Sequence, residues 1–210
     1  FPDEDHVSLD LGKLNQLLKT LKSLESKYVI MAGQIKPNRL FKDLNPDIKL
    51  ISMLAKLKEL NAETIFGSIV EEINNQGCNV LDARSFLDDH LASEGLMTLT
   101  KKKPSSDILE FGINMAKNIA QLNIGQGIVI KDKTVIAVEA FEGTNKMLKR
   151  VGDLKLNNLI FFKTIKKNQD CRFDIPVFGL QTLELLQNLK IKTAVLEKNS
   201  VIIIDKAEVL

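Results

Sequence analysis

Residues 127–138 constrain the fold more than any other stretch. They read Gly-Ile-Val-Ile-Lys-Asp-Lys-Thr-Val-Ile-Ala-Val. Two β-branched runs flank three charged residues, a pattern that predicts a hairpin turning at Lys131-Asp132-Lys133. Before it, Ser106 or Asp107 can cap a long helix running to about residue 122. After it come predicted strands at 159–164, 193–196 and 200–204, with a helix in 176–189. Strands alternating with helices read as an α/β fold.

The first third of the chain carries a different pattern. Leu9, Leu11, Leu14, Leu17, Leu18, Leu21 and Leu24 recur at helical spacing. A short buried strand is expected at 28–32, ending in Gly33-Gln34-Ile35-Lys36-Pro37. A helix, a strand and a glycine-containing loop form half of a parallel-sheet unit. Helices follow at 48–60 and 62–75, then a strand at 78–81 and a short helix at 85–90. The texture turns polar near Gly95, Lys101, Lys102, Lys103 and Pro104. That places a boundary between an N-terminal domain, 1–95, and a C-terminal domain, 96–210.

Composition narrows the chemistry. The chain of 210 residues has two cysteines, Cys78 and Cys171, far apart, and two histidines, His6 and His90. Structural zinc and a disulfide framework are disfavoured, and a reducing compartment fits. Any metal would be a hard cation held by carboxylates and phosphate. A net charge of +2 argues against a nucleic-acid partner. No apolar run approaches the ~20 residues of a membrane helix.

Three constellations could carry chemistry. In the first, a strand ends at Glu139, Gly143 permits a tight turn, and Thr144 can cap a helix starting at Asn145. Free N–H groups at such a start suit phosphate. Glu139 and Glu142 nearby then call for a bridging cation. The second runs from Lys163 through Lys166, Gln169, Asp170, Arg172 and Asp174 to Pro176 and Gly179. If residues 170–174 are extended, Asp170, Arg172 and Asp174 share one face and span roughly 13 Å. One aspartate would then serve a metal or water and the other hold Arg172 or a lysine; Asp174, beside Pro176, is the better placed for chemistry. The third is the loop of Gly33, Gln34 and Lys36, placed where α/β sheets bind ligands. Each constellation also has a plain structural reading, as a strand–turn–helix, an edge strand with a salt bridge, or a loop.

The segment Ile-Ala-Val-Glu-Ala-Phe-Glu-Gly-Thr with Met147-Leu148, and the run Lys163, Lys166, Gln169-Asp170, Arg172, Asp174, Pro176, Gly179, resemble the signatures of a known family. Weaker echoes are Met31-Ala32-Gly33, residues 45–49, Glu94-Gly95, Gly125-Gln126 and Ile204-Asp205. The family is the UDP-2,3-diacylglucosamine pyrophosphatase of lipid A synthesis that is unrelated to calcineurin-like phosphoesterases. The resemblance implies a Rossmann-like N-terminal domain and a distinct α/β C-terminal domain. It implies Mg²⁺ (Mn²⁺ as an alternative) and water attack on a lipid-linked UDP-sugar, releasing UMP and lipid X. It implies a cytoplasmic enzyme peripheral to the inner leaflet, and leaves a homodimer open. The family's essential aspartate carries to Asp174, with Asp170 as the alternative. Asp174, Glu139 and Glu142 become the expected metal ligands. Gly33, Gln34, Lys36, Gly143, Thr144, Asn145, Lys163, Lys166, Gln169 and Arg172 become the expected substrate contacts. Two departures stand out: the family's first strand with its glycine-rich loop and roughly its last helix are not found, and Asn145 stands where an acidic residue is expected. The rival reading is a non-catalytic module that binds a sugar nucleotide or lipid phosphate.

Overall fold

The computed structural model describes residues 6–10, 12–33, 45–99 and 103–210. The chain divides into two compact units. Unit 1 comprises residues 1–83 together with 170–174, and unit 2 comprises 84–169 and 175–210. Both contain helices and strands, so the α/β expectation holds.

Unit 1 has helices α1 (Leu14–Ser23), α2 (Ile48–Leu54) and α3 (Ala62–Asn74) around two short strands, β1 (Tyr28–Val29) and β2 (Asn79–Val80). The strands pair in parallel, Tyr28 with Asn79 and Val29 with Val80. Leu14 and Leu18 of α1, Leu50 and Met53 of α2, and Val70 and Ile73 of α3 form one core with Cys78 and Val80. Asp47 explains how two of these helices begin together. Its carboxylate accepts from Leu50 N–H at 2.8 Å and from Asn15 N–H at 2.7 Å, capping α2 and satisfying the start of α1. Asn61 caps α3 in a reciprocal capping box with Thr64. The expected helix at 48–60 is shorter, because after the Ala55 N–H bond to Ile51 O the next residues, Lys56 and Leu57, bond to the i−3 carbonyls of Met53 and Leu54. The strand at 28–32 is reduced to two paired residues, and Tyr28 is 65% exposed rather than buried.

Unit 2 is built on a four-stranded sheet in the order β4-β3-β5-β7: β3 (Gly127–Lys131), β4 (Thr134–Val138), β5 (Leu159–Lys163) and β7 (Thr193–Leu196). The predicted hairpin is present, with Lys131 opposite Thr134 and Asp132 at φ 50° in the turn. β3 runs antiparallel to both neighbours and β5 is parallel to β7. β4, β5 and β7 therefore all point the same way.

Alternation sends side chains to two cores. Val129 and Phe161, paired in register, pack with Met147, Leu148 and Val151 of α5 (Thr144–Asp153) and Leu186 of α6 (Leu180–Asn188). Ile128, Ile130, Ile160 and Phe162 pack with Ala116 of α4 (Ser106–Gln121). The sheet is thus covered by helices on both faces, as its apolar strands demand. Gly112 lets α4 approach closely, since a Cβ there would enter the Phe162 ring. A second, two-stranded parallel sheet joins β6 (Val177–Phe178) to β8 (Ile202–Ile203), and α7 (Lys206–Val209) follows it. The segment expected as a helix at 85–90 holds one 3₁₀ turn, Asp88–His90.

Candidate functional site

Three strands of unit 2 end at one edge of the sheet, and each delivers a charged residue there. Glu139 follows β4, Lys163 ends β5, and Glu197 follows β7. The carboxyl edge of strands is where α/β sheets place ligands.

Two of these residues form a closed ring with Thr144. The Lys163 ammonium donates to Glu139 Oε2 at 3.0 Å and to Thr144 Oγ1 at 2.7 Å. The Thr144 hydroxyl donates in turn to Glu139 Oε1 at 2.7 Å. Lys163 is 7% exposed; among the described residues only it and Thr164 are both buried and polar. A buried ammonium requires such a partner. The ammonium also reaches Glu139 Oε1 at 3.3 Å, so its three protons all have acceptors within this ring. Two glycines of β3 and its approach make room for Glu139. A Cβ on Gly127 would collide with Glu139 Oε2, and one on Gly125 would lie 2.7 Å from the Glu139 carbonyl carbon.

The turn after β4 meets its expectation in part. Gly143 sits at φ +82°, a conformation that glycine takes without strain. Helix α5 begins at Thr144, however, with Gly143 as its cap residue, and the Thr144 hydroxyl turns to Glu139 instead of capping. The N–H groups of the first turn accordingly keep no side-chain cap. Asn145 Oδ1 accepts from the Thr182 hydroxyl at 3.3 Å. Glu142 pairs with Arg150 at 2.5 Å. Beyond β5, Lys166 reaches Asn123 Oδ1 at 3.0 Å, and its N–H donates to Gln169 Oε1 at 3.4 Å.

Residues 170–174 overturn the expectation of an extended strand. Cys171, Arg172 and Phe173 form a turn, closed by Asp174 N–H donating to Asp170 O at 3.1 Å. Asp170 grips Arg172 with both oxygens, at 2.8 Å to Nε and 2.6 Å to Nη2. The local pairing and the anchoring of its neighbours in unit 1 explain why the chain coils. Cys171 O accepts from Ala83 N–H at 2.9 Å, and Phe173 stacks on Phe66 with centroids 5.8 Å apart. The Arg172 guanidinium beside Asp170 holds its carboxyl below the usual carboxylate range. The aspartate that holds Arg172 is therefore Asp170.

Gly33 lies in a bend at φ +100°, with open space around its Cα. Gln34 and Lys36 lie outside the described residues, as do Lys101 and Lys102. Glu139 and Glu142 are each ion-paired, and Asp174 belongs to unit 1. Among the described residues no three His, Cys, Asp or Glu side chains are grouped to hold a metal.

Sequence reading missed Lys117 and Glu197. The Lys117 ammonium donates to both Glu197 oxygens at 2.5 and 2.6 Å. Burial pushes the Glu197 carboxyl up, but bonds from Lys117, Thr164 and the Ile165 N–H outweigh it and hold it below its ordinary value. The available signal was positional: Glu197 follows its strand directly, just as Glu139 follows β4.

Residues 2–90 match the LpxI N-terminal domain, and residues 93–210 match the LpxI C-terminal domain. The chain is also 25% identical, over 218 aligned residues, to the UDP-2,3-diacylglucosamine pyrophosphatase LpxI of Caulobacter vibrioides. That alignment covers 97% of this chain and 77% of the relative. The second domain match alone spans the sheet edge of Glu139, Lys163 and Glu197, and with the first it accounts for nearly every residue: the chain belongs to the LpxI family.

Proposed function

We propose that this protein hydrolyses the pyrophosphate of UDP-2,3-diacylglucosamine, a step of lipid A synthesis, releasing UMP and 2,3-diacylglucosamine 1-phosphate. The observation that carries the reading is the buried Lys163 ammonium at the carboxyl edge of β5, in a chain similar to a relative of that activity. A cation held in a low-dielectric edge beside uncapped helix N–H groups suits a phosphate. Phosphoryl transfer relies on positioning and charge neutralisation more than on covalent chemistry.

In this reading Lys163 and Lys166 bind phosphate oxygens, and the α5 start, Gly143 and Thr144, adds N–H donors. Arg172, already fixed by Asp170, supplies a further cation. Asp174 orients the attacking water, whose oxygen forms the new P–O bond as the bridging P–O bond breaks. Mg²⁺, with Mn²⁺ as a substitute, would neutralise phosphate charge. Such ions are often held by one or two carboxylates plus substrate oxygens, so a grouped protein cage is not required. We assign that role to Asp174; Glu139 or Glu142 would join by giving up Lys163 or Arg150. Gly33, Gln34 and Lys36 would meet the nucleotide, in an N-terminal unit we take as Rossmann-like.

The substrate is an amphiphile, and no helix among the described residues is long and apolar enough to cross a membrane. We take the enzyme to work from the cytoplasm at the inner-leaflet surface. The test is release of UMP from the lipid substrate with Mg²⁺ and its loss in excess EDTA. No UMP from full-length protein would overturn the activity, and full turnover in EDTA the metal.

A further inference from the structure

The carboxyl end of β5 is fixed by two side chains that carry none of the roles above. Glu197 N–H donates to the Lys163 carbonyl at 3.0 Å. Its carboxylate accepts from the Thr164 hydroxyl at 2.5 Å and from Ile165 N–H at 3.0 Å. Lys117, from α4, donates to both oxygens of that carboxylate and also to the Ile165 carbonyl at 3.1 Å. One ion pair thus grips Ile165 by its N–H and its C=O together. Thr164 and Ile165 are 5% and 8% exposed, so the gripped dipeptide is buried, while the Lys117 and Glu197 side chains that hold it are part-exposed.

Thr164-Ile165 is the dipeptide that joins Lys163 to Lys166. Its backbone torsions set the separation and direction of the two lysines. Alternation along β5 sends Lys163 to the α5 face, where it meets Thr144, and Thr164 to the α4 face, where it meets Glu197. Both networks therefore meet at one peptide. Lys117 has no proton left for a ligand, and the Glu197 carboxylate is already engaged by three groups of its own fold. The ammonium's three protons go to Glu197 Oε1, Glu197 Oε2 and Ile165 O, and the carboxylate accepts from three groups. A pair built only for stability could be replaced by apolar packing. Apolar packing could not hold one residue's N–H and C=O at once.

The geometry points to Lys117 and Glu197 as positioning residues that lock Thr164-Ile165 and so set the spacing at which Lys163 and Lys166 receive the pyrophosphate. This rests on the reading of those two lysines as phosphate ligands.

The test compares full-length wild type with Glu197→Gln, Lys117→Met, the double variant, and Ile203→Val. The last trims the same unit's core away from the edge and controls for lost stability. UMP release gives kcat and KM, and competition by inorganic pyrophosphate gives an inhibition constant. Each single variant is expected to lose about 10- to 100-fold in kcat/KM, the scale of a small misplacement. The pyrophosphate inhibition constant rises by a similar factor, and the double variant is no worse than the worse single, since the pair acts as one unit. Ile203→Val stays near wild type. If Glu197→Gln does not fold, Lys117→Met decides alone. Wild type that releases UMP while folded variants keep wild-type pyrophosphate inhibition overturns the positioning role by itself, as do losses that multiply in the double variant. Wild type that releases no UMP overturns the functional reading, and this inference with it.

Discussion

Glu139–Lys163 and Asp170–Arg172 are both acid–base pairs within the family signatures, yet they are built in opposite ways. The first joins residues 24 apart in sequence, at the ends of β4 and β5, with side chains 12% and 7% exposed. The second joins residues two apart across a turn, 26% and 36% exposed. The sheet creates the first pair, and burial makes it costly to break. The local chain creates the second, and solvent softens its loss. A strand-edge lysine is thus as rigid as the fold, whereas the turn can be altered for its chemistry while the fold stays in place.

The largest expected effect tests that separation. Asp174→Ala should remove nearly all turnover while KM stays within about tenfold, because ground-state binding is spread over many contacts. A variant keeping a tenth or more of the normal kcat would return Asp174 to a structural role.

Next comes the stability contrast between the two pairs. Glu139→Ala leaves the Lys163 ammonium buried beside Thr144 alone, and breaking a buried pair costs about 3–5 kcal/mol. Asp170→Ala breaks a part-exposed pair and should cost about 1 kcal/mol or less. Denaturant unfolding of both variants reads the difference. Equal costs would show that the strand-edge pair is no more tightly integrated than the turn.

The contrast also explains what could be read from the sequence. The hairpin, the long helix α4 and the strand of residues 193–196 were legible, because their patterns are local and regular. The Glu139 turn was legible through Gly143, whose position demands a positive φ. The turn at 170–174 was misread as extended because alternation of Asp170, Arg172 and Asp174 mimics a strand. What overrode it was non-local: Phe173 on Phe66, and Cys171 bonded to Ala83. The Lys117–Glu197 pair was invisible for the same reason, its members lying 80 residues apart. Gly127 was read only as part of a strand, although its lack of a side chain is what seats Glu139.

That seat can be filled. Gly127→Ala places a Cβ against Glu139 Oε2, with the Phe161 ring 3.4 Å away. Overpacking of this kind costs about 1–3 kcal/mol. It should also push the Glu139 carboxylate off Lys163 and raise KM while the strand pairing persists. An alanine variant as stable and as active as wild type would mean that Glu139 has room the geometry does not show.

The smallest effect is the acid limb of stability. Asp170 titrates below its ordinary value because Arg172 bonds to the charged form. A depressed carboxyl binds fewer protons folded than unfolded, so its stabilisation is complete above the unfolded value, about 3.9. It is lost as pH falls through the lower folded value. Glu197 is shifted in the same direction, so wild type should lose stability from both groups across this range. Asp170→Asn removes one contribution: the gap between wild type and variant should be under about 1 kcal/mol near neutrality, given the exposure of the pair. Unfolding measured from pH 6 to pH 2 should show that gap closing below about pH 4. A gap that stays constant to pH 2 would place the stabilisation in the turn's shape and not in the Asp170 charge.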